Sequence, residues 1–432
     1  MTINVTDTVG ANNTIVLDSN SKIPAIDGSQ VTALSATAFT TGSLATARID
    51  VGTTAGKILQ LDGSARMPAL SGENLVNAPG PTSSTSDPAI DTNSTLGAKW
   101  INKTSGEVYI CTDATTDANV WTNVGEGTGD VQPWQYAGSL YGYASGGWYP
   151  PNSYSNMVQR WSFTSDGNAV DTTQNLTRTV IYCSGSGSSS STHGYNAGGY
   201  NGGTINVIDK FQFNTSNNAT DVGDLSTGRQ SPAQCNSETY GYVGGGSGVP
   251  YTNGIEKWAF ASDGNATAVG YLGPSATATP GIGAASATHG YYAGPYTGGG
   301  SNFIIEKYTF SIDANSTDVG DLTARVMAAY PGGASSTTHG YVAGGNQGGA
   351  PNVNVIDRWS FSTDGNATDV GDLTAGIGNA GGSSSITHGY VFGGTGLRIE
   401  KWLYAASSSG TDVGDLVSES GTERAYGCGN QY

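Results

Sequence analysis

Basic residues are scarce in this 432-residue chain, where 17 Lys and Arg stand against 34 Asp and Glu for a formal net charge of -17. Such a balance repels nucleic acid and anionic lipid, and no basic stripe offsets it, so neither is expected as a partner. Long apolar runs are missing too. No stretch approaches the roughly 18 residues a membrane span needs, which argues against membrane insertion. The opening residues MTINVTDTVGANNT lack the charged and apolar regions of a signal peptide, so synthesis in a cytoplasm is expected. Cysteine is limited to Cys111, Cys183, Cys235 and Cys428. Their spacing shows no CxxC, so free thiols are expected rather than a zinc site or a disulfide framework. Histidine is equally sparse, with four residues. Aromatics are almost absent from residues 1–95, where Phe39 stands alone and no Trp or Tyr occurs.

Glycine is abundant, at 66 residues with only 36% of the chain hydrophobic, which fits short strands and tight turns better than helices. Its distribution is periodic. A Gly-Tyr element recurs with its tyrosine at Tyr143, Tyr195, Tyr242, Tyr291, Tyr341 and Tyr390, at intervals of 52, 47, 49, 50 and 49 residues. A period near fifty with several short strands per unit marks a propeller. The stretch from Thr338 to Leu373 gives the unit: THGYVAGG, a loop, VIDRWSF, then STDGNATDVGDL. Its β-branched and aromatic runs read as strands, and the DGN between the last two as a hairpin. Together with a strand preceding THGY, each unit holds four strands. Six units with no other core bury their faces against one another, as a ring in preference to a stacked array. Closure is expected from the carboxy-terminal GTERAYGCGNQY, which copies the start of a first strand, with VQPWQYAGS from Val131 as the competitor.

Residues 1–95 carry a loose repeat of their own, SKIPAIDGSQV from Ser21 and ARMPALSGENL from Ala65, with GKILQLDGS between. So thin a segment suits an intertwined oligomer, and a disordered linker is the alternative. These phrases, with TARIDVGTTAGKILQLDGS, resemble the amino-terminal segments of tailed-bacteriophage fibre proteins over roughly residues 14–80. The resemblance implies attachment to other tail or baseplate proteins of a virion and a homotrimer. A Pro/Ser/Thr patch from Ala78 reads as linker. Residues 96–128 then form a small β module around Trp100, Tyr109 and Trp121, which looks like modules of phage tail proteins and slightly resembles carbohydrate-binding modules. In so small a unit the two tryptophans are expected in the core.

Across residues 129–432 the order of a Gly-Gly pair, an acidic-basic-aromatic strand and an arginine opening the next unit resembles the kelch repeat family. The fourth strand departs from that family, with DVGDL in place of its tryptophan, while the large aromatics Trp161, Phe211, Trp258, Tyr308, Trp359 and Trp402 sit on the third strand. The expected fold is therefore all-β: a six-bladed kelch-like β-propeller, preceded by the small β module and an extended, oligomerising fibre segment.

The four histidines, His193, His289, His339 and His388, occupy one repeat position, too far apart to share a metal whose ligands must lie within about 2.0–2.1 Å. Hydrogen-bonded residues at the start of the second strand are expected. The pairs Glu256-Lys257, Glu306-Lys307, Asp357-Arg358 and Glu400-Lys401 point to opposite faces of their strand and are expected to bridge to the next blade. The NAT triplets at Asn218, Asn265 and Asn366 read as turns, not glycosylation sites.

Variation concentrates in the loops between second and third strands. They contain Trp148, Tyr149, Tyr154, Tyr200, Tyr251, Tyr296, Asn346 and Gln347, flat apolar faces beside neutral hydrogen-bonding groups that suit sugars. These are the candidate ligand-binding residues. No catalytic grouping, metal site or cofactor motif stands out, and an enzyme is not expected. The expected function is a tail-fibre component on the virion that binds a host-surface glycan. Alternatives are a purely structural capsid decoration or tail spacer and, behind it, a polysaccharide-degrading enzyme.

Overall fold

The computed structural model describes residues 81–124 and most of 138–431, leaving out 150–152, 184–185, 249–252, 274–280, 324–330, 346–350, 418–427 and a few single positions. The amino-terminal repeat of residues 1–80 therefore lies outside the described residues. The chain divides into two compact units, residues 1–131 and 132–432. Every regular element described is a strand, and the fold is all-β.

In the first unit, Lys99–Asn102, Val108–Asp113 and Val120–Asn123 form an antiparallel meander. Thr82–Ser84 adds a fourth strand, parallel to Lys99–Asn102. This corrects the reading of the Pro/Ser/Thr patch as linker alone. Its small residues pair by backbone, which composition cannot announce. Tyr109, Cys111 and Trp121 are buried. Trp100 crosses Trp121 edge-on at 5.9 Å and donates its indole N–H to Ser86 O at 2.9 Å, so both tryptophans serve the core as expected.

The second unit contains six four-stranded antiparallel sheets. In the fifth they are Gly332–Ser335, His339–Ala343, Val355–Ser360 and Thr368–Asp372; the last three match the strands read from the sequence, whereas the first, expected directly after the arginine of LTARVMAAY, falls further on in the Gly-Gly-Ala-Ser run before THGY. The first sheet takes its first strand from the other end of the chain. Cys428–Gln431 pairs antiparallel with Tyr141–Ser145, placing Cys428 opposite Ser145 and Gln431 opposite Gly142. The competitor finds another position: Gly138 bridges Ser385 of the sixth sheet in parallel.

Each sheet is built on one cross-strand pair. The glycine of every Gly-Tyr element faces the large aromatic of the third strand: Gly142 with Trp161, Gly194 with Phe211, Gly241 with Trp258, Gly290 with Tyr308, Gly340 with Trp359 and Gly389 with Trp402. The aromatic ring lies across the glycine so closely that a Cβ there would overlap it. A flat ring covering an unsubstituted backbone position restores the packing that glycine lacks.

Neighbouring sheets are joined by contacts repeated at seam after seam. The buried tyrosine of one second strand meets two aromatics of the following sheet, as Tyr195 meets Trp258 at 6.1 Å and Phe260 at 4.7 Å. Tyr390 of the sixth sheet meets Trp161 and Phe163 of the first at 6.3 and 4.7 Å. The turn after each third strand lies beside the fourth strand of the sheet before it. Asn265 Oδ1 accepts from Asp224 N at 3.0 Å, Asn366 Oδ1 from Asp321 N at 3.1 Å, and Asn168 Oδ1, in the first sheet, from Asp415 N of the sixth at 3.1 Å. The NAT asparagines Asn218, Asn265 and Asn366 thus serve as turn residues that also stitch sheets. The glycine of DVGDL permits that approach: Gly223, Gly320 and Gly414 have φ of 156 to 157°, and a Cβ would strike the neighbouring turn's backbone.

The Gly-Gly pairs that the sequence places at the end of the second strand, Gly146-Gly147, Gly198-Gly199, Gly244-Gly245, Gly344-Gly345 and Gly393-Gly394 with Gly294-Pro295 in the fourth unit, need one correction. In five sheets the left-handed turn falls at or begins on the expected glycine, whereas in the third it moves to Gly245 and Gly246. Gly244 remains in the strand, opposite Ile255, because the Tyr292 ring of the fourth sheet occupies the space a side chain would need.

Two outcomes test this packing. Gly340→Ala should destabilise the folded chain by about 1–3 kcal/mol through overpacking against Trp359, while Gly203→Ala, where a Cβ meets nothing, should leave it within ~0.5 kcal/mol. Urea unfolding measures both. Removing residues 428–432 should lower the melting temperature by several degrees at least, because Tyr141–Ser145 loses its partner. An unchanged melting curve would count against closure of the first sheet by this strand.

Candidate functional site

Strand direction sorts the second unit's turns to two ends. His193–Ala197 runs from a tight turn to a left-handed pair, Gly198 and Gly199, and antiparallel pairing returns the chain along Val207–Gln212. The loop from second to third strand and the connection from each fourth strand to the next sheet therefore share one end. The tight turns, with the histidines, lie at the other.

At the histidine end, chemistry is local. His193 Nδ1 lies 2.7 Å from Thr192 Oγ1, and His289, His339 and His388 make the same contact with Thr288, Thr338 and Thr387 at 2.8 Å. Burial, with the neighbouring Lys or Arg, holds all four imidazoles below the usual histidine range. Among the described residues no three His, Cys, Asp or Glu side chains group as a metal site.

The acidic-basic pairs divide their work. The bases reach forward to the next sheet: Lys210 to Asp263 at 2.8 Å, Lys257 to Asp313 and Lys307 to Asp364 at 2.6 Å, and Lys401 of the sixth sheet to Asp166 of the first at 2.6 Å. The acids do not bridge to the next sheet as expected. They are buried and bind the connection entering their own sheet, whose backbone N–H groups would otherwise lack partners. Ser226 donates its N–H to Glu256 at 2.8 Å and its hydroxyl at 2.7 Å, and Thr374 donates to Glu400 in the same way. In the first sheet Gln159 replaces the acid and accepts from Val417 N at 2.7 Å. Arg229, itself buried, pairs with Glu256 and donates to Gly245 O and Gly254 O at 3.1 and 3.2 Å. Burial alone would lower this guanidinium's affinity for its proton, and Glu256 opposes that. Burial raises the Asp209 carboxyl against the pull of Arg178 and Thr177. Each of these strand acids holds the connection that enters its own sheet.

The loop end differs. Trp148, Tyr154 and Tyr200 are half-buried. Trp148 pairs across a two-stranded ribbon with Tyr154, and Tyr154 meets Tyr200 of the second sheet edge-on, with centroids 6.4 Å apart. Tyr200 is fixed by backbone bonds with Ile181, at 3.0 and 2.8 Å. Beside it lies Tyr182, 6.5 Å away by ring centroid and half-buried, which sequence reasoning missed. It sits in the connection between the first two sheets, not in a variable loop, and no periodic signal marks it. Tyr149 and Tyr296 lie in two-stranded ribbons of their loops. Tyr251, Asn346 and Gln347 lie outside the described residues. The structure thus brings Tyr154 and Tyr200 together, with Trp148 across the ribbon from Tyr154, and adds Tyr182.

Comparison with known protein families and with curated proteins finds no match for this chain.

Glu256→Ala should cost about 3–5 kcal/mol, since it strands the buried Arg229 charge, and Glu256→Gln should cost less. Chemical denaturation of the full chain checks both values.

Proposed function

We propose that the second unit is a six-bladed, kelch-like β-propeller closed by its carboxy-terminal strand, and that the chain is a bacteriophage tail-fibre protein that binds a host-surface glycan through its loop end. The reading of a ring is supported by contacts of the sixth sheet with the first that repeat those between sequential sheets: tyrosine to aromatic pair, lysine to aspartate, and asparagine to fourth strand. The virion assignment rests on the resemblance of residues 14–80, with residues 1–95 as the attachment segment to tail or baseplate proteins and the homotrimer as its assembly.

The observation that carries the binding reading is the cluster of Tyr154, Tyr182 and Tyr200, half-buried rings at the loop end, while the strand lysines Lys210, Lys257, Lys307 and Lys401 are paired with aspartates of the next sheet. Aromatic faces beside neutral polar loops favour the apolar face and hydroxyls of a sugar over a charged ligand. A trimeric fibre would present each weak site three times, and avidity would supply the strength a single loop lacks.

Full-length protein applied to a glycan array and to host cells should bind a surface polysaccharide, with binding abolished by the free glycan. A protein that retains no surface ligand in either assay, while labelled antibody finds it on the capsid, would replace receptor binding with a structural role.

A further inference from the structure

We propose that residues 81–124 associate with other copies of this chain through the open side of their sheet, the side that carries Ile101, Val108, Ile110 and Val120. This rests on the oligomeric part of the reading above and gives that assembly one contact surface.

An antiparallel sheet with one face in water alternates apolar and polar residues, but the strands KWIN, VYICTD and VWTN are apolar on both faces. Trp100, Tyr109, Cys111 and Trp121 share one side, Trp100 standing opposite Tyr109 and Cys111 opposite Trp121. The preceding loop is bonded to that side, as the Trp100 indole donates to Ser86 O at 2.9 Å and Asn102 Nδ2 to Asp87 Oδ1 at 2.8 Å. The same registers set Ile101 opposite Val108 and Ile110 opposite Thr122 on the other side. Thr112 joins them there, its hydroxyl 2.9 Å from that of Thr122. All the described strands of this unit lie in one sheet, so among the described residues no second layer covers that side. Ile101, Val108, Ile110 and Val120 are only half-buried, and Val124, which extends the ladder by donating its N–H to Val108 O at 2.8 Å, is 59% exposed. A row of β-branched side chains left open in this way marks a contact surface.

Three observations name a second copy as what covers it. The chain outside the described residues ends at this sheet: residues 1–80 run directly towards Thr82–Ser84, which pairs with Lys99–Asn102 as a parallel edge. Copies joined through that segment hold their sheets close together, where even a weak contact forms at the high effective concentration of a short tether. Charge points the same way. In a chain of net charge -17, this side carries one cation, Lys99 opposite Ile110, and one anion, Asp113 opposite Val120. Two identical faces thus meet without the repulsion that acidic surface elsewhere brings. Shape decides between a second copy and the segment itself. A flat sheet packs on another sheet about 10 Å away through interlocking side chains, and residues 1–80, with Phe39 as their sole aromatic, offer few large groups for such a layer.

The test uses the full-length chain, with its mass followed by light scattering and sedimentation over a range of concentrations. The parent chain should be oligomeric. Val120→Cys should be joined between copies by a short bis-maleimide, at a rate about tenfold or more above Ile386→Cys, an exposed position of the second unit, and above the parent chain with its own cysteines. Adding Ile110→Asp to Val120→Cys should cut that rate about tenfold or more, because like charges then face each other across the contact. Thr112→Glu, at an exposed position of the same side, repeats the test if Ile110→Asp does not fold, as thermal unfolding shows. An oligomer in which Val120→Cys links no faster than Ile386→Cys overturns this surface and leaves the oligomeric reading standing. A monomeric parent chain at every concentration overturns both.

Discussion

A tyrosine buried between two aromatic rings of the following sheet is the contact on which the second unit depends. A single four-stranded sheet of this composition has little to bury on its own. Its inner strands are Gly, Ala and Ser, and its outer strand is the polar TDVGD. What it offers is one ring to its neighbour and two to receive the ring from the other side. Tyr291, for example, lies against Trp359 at 6.1 Å and stacks on Phe361 at 4.8 Å. Aromatic pairs at these separations add about 0.5–1.5 kcal/mol beyond the area they bury. The glycine preceding the tyrosine is part of the same device, because only there can the third-strand ring lie across its own sheet. Sheet and seam are therefore specified together, and losing the glycine disturbs both.

Polar chemistry is subordinate to that packing. The connection between sheets must cross buried ground, and its backbone N–H groups need acceptors. A carboxylate at one position of the third strand supplies them in most sheets. This explains why the acid is buried and its adjacent base is not: alternation along the strand sends one inward to backbone and the other outward to the next sheet's turn. Gln159 does the same work without charge, which shows that the demand is for an acceptor and not for an ion.

Strand positions were legible because they follow from alternation and turn residues. Val355–Ser360 and Thr368–Asp372 lie where VIDRWSF and ATDVGDL put them. The carboxy-terminal strand could be anticipated from its likeness to a first strand. Other features depend on what lies across a seam, which one unit of sequence does not contain. The roles of Gly340 under Trp359, of Gly320 against the next turn and of Gly244 beneath Tyr292 are of that kind. The direction of the buried acids was misjudged for the same reason: the strand pattern says which face an acid occupies, not whether a neighbouring sheet or an incoming connection awaits it. Thr82–Ser84 escaped notice because a three-residue polar strand has no periodicity to read.

The candidate site was half legible. Loops of unequal length on repeated strands drew attention to one end of the sheets, and Tyr154 and Tyr200 do meet there. Tyr182 was hidden in a connection that repeats poorly. Its backbone has positive φ and is bonded by Ser231, a residue 49 positions later, so no local pattern could disclose its placement. A repeat concentrates its shared residues on holding sheets together, and departures from the repeat are where a surface can acquire specificity. Tyr182 and Ser231 are both departures of backbone conformation as much as of sequence. Their strain is tolerated because the seams on either side are fixed by contacts that do not involve them. A scaffold stitched this many times can hold two unfavourable residues in place, because the contacts that join its sheets do not depend on either of them.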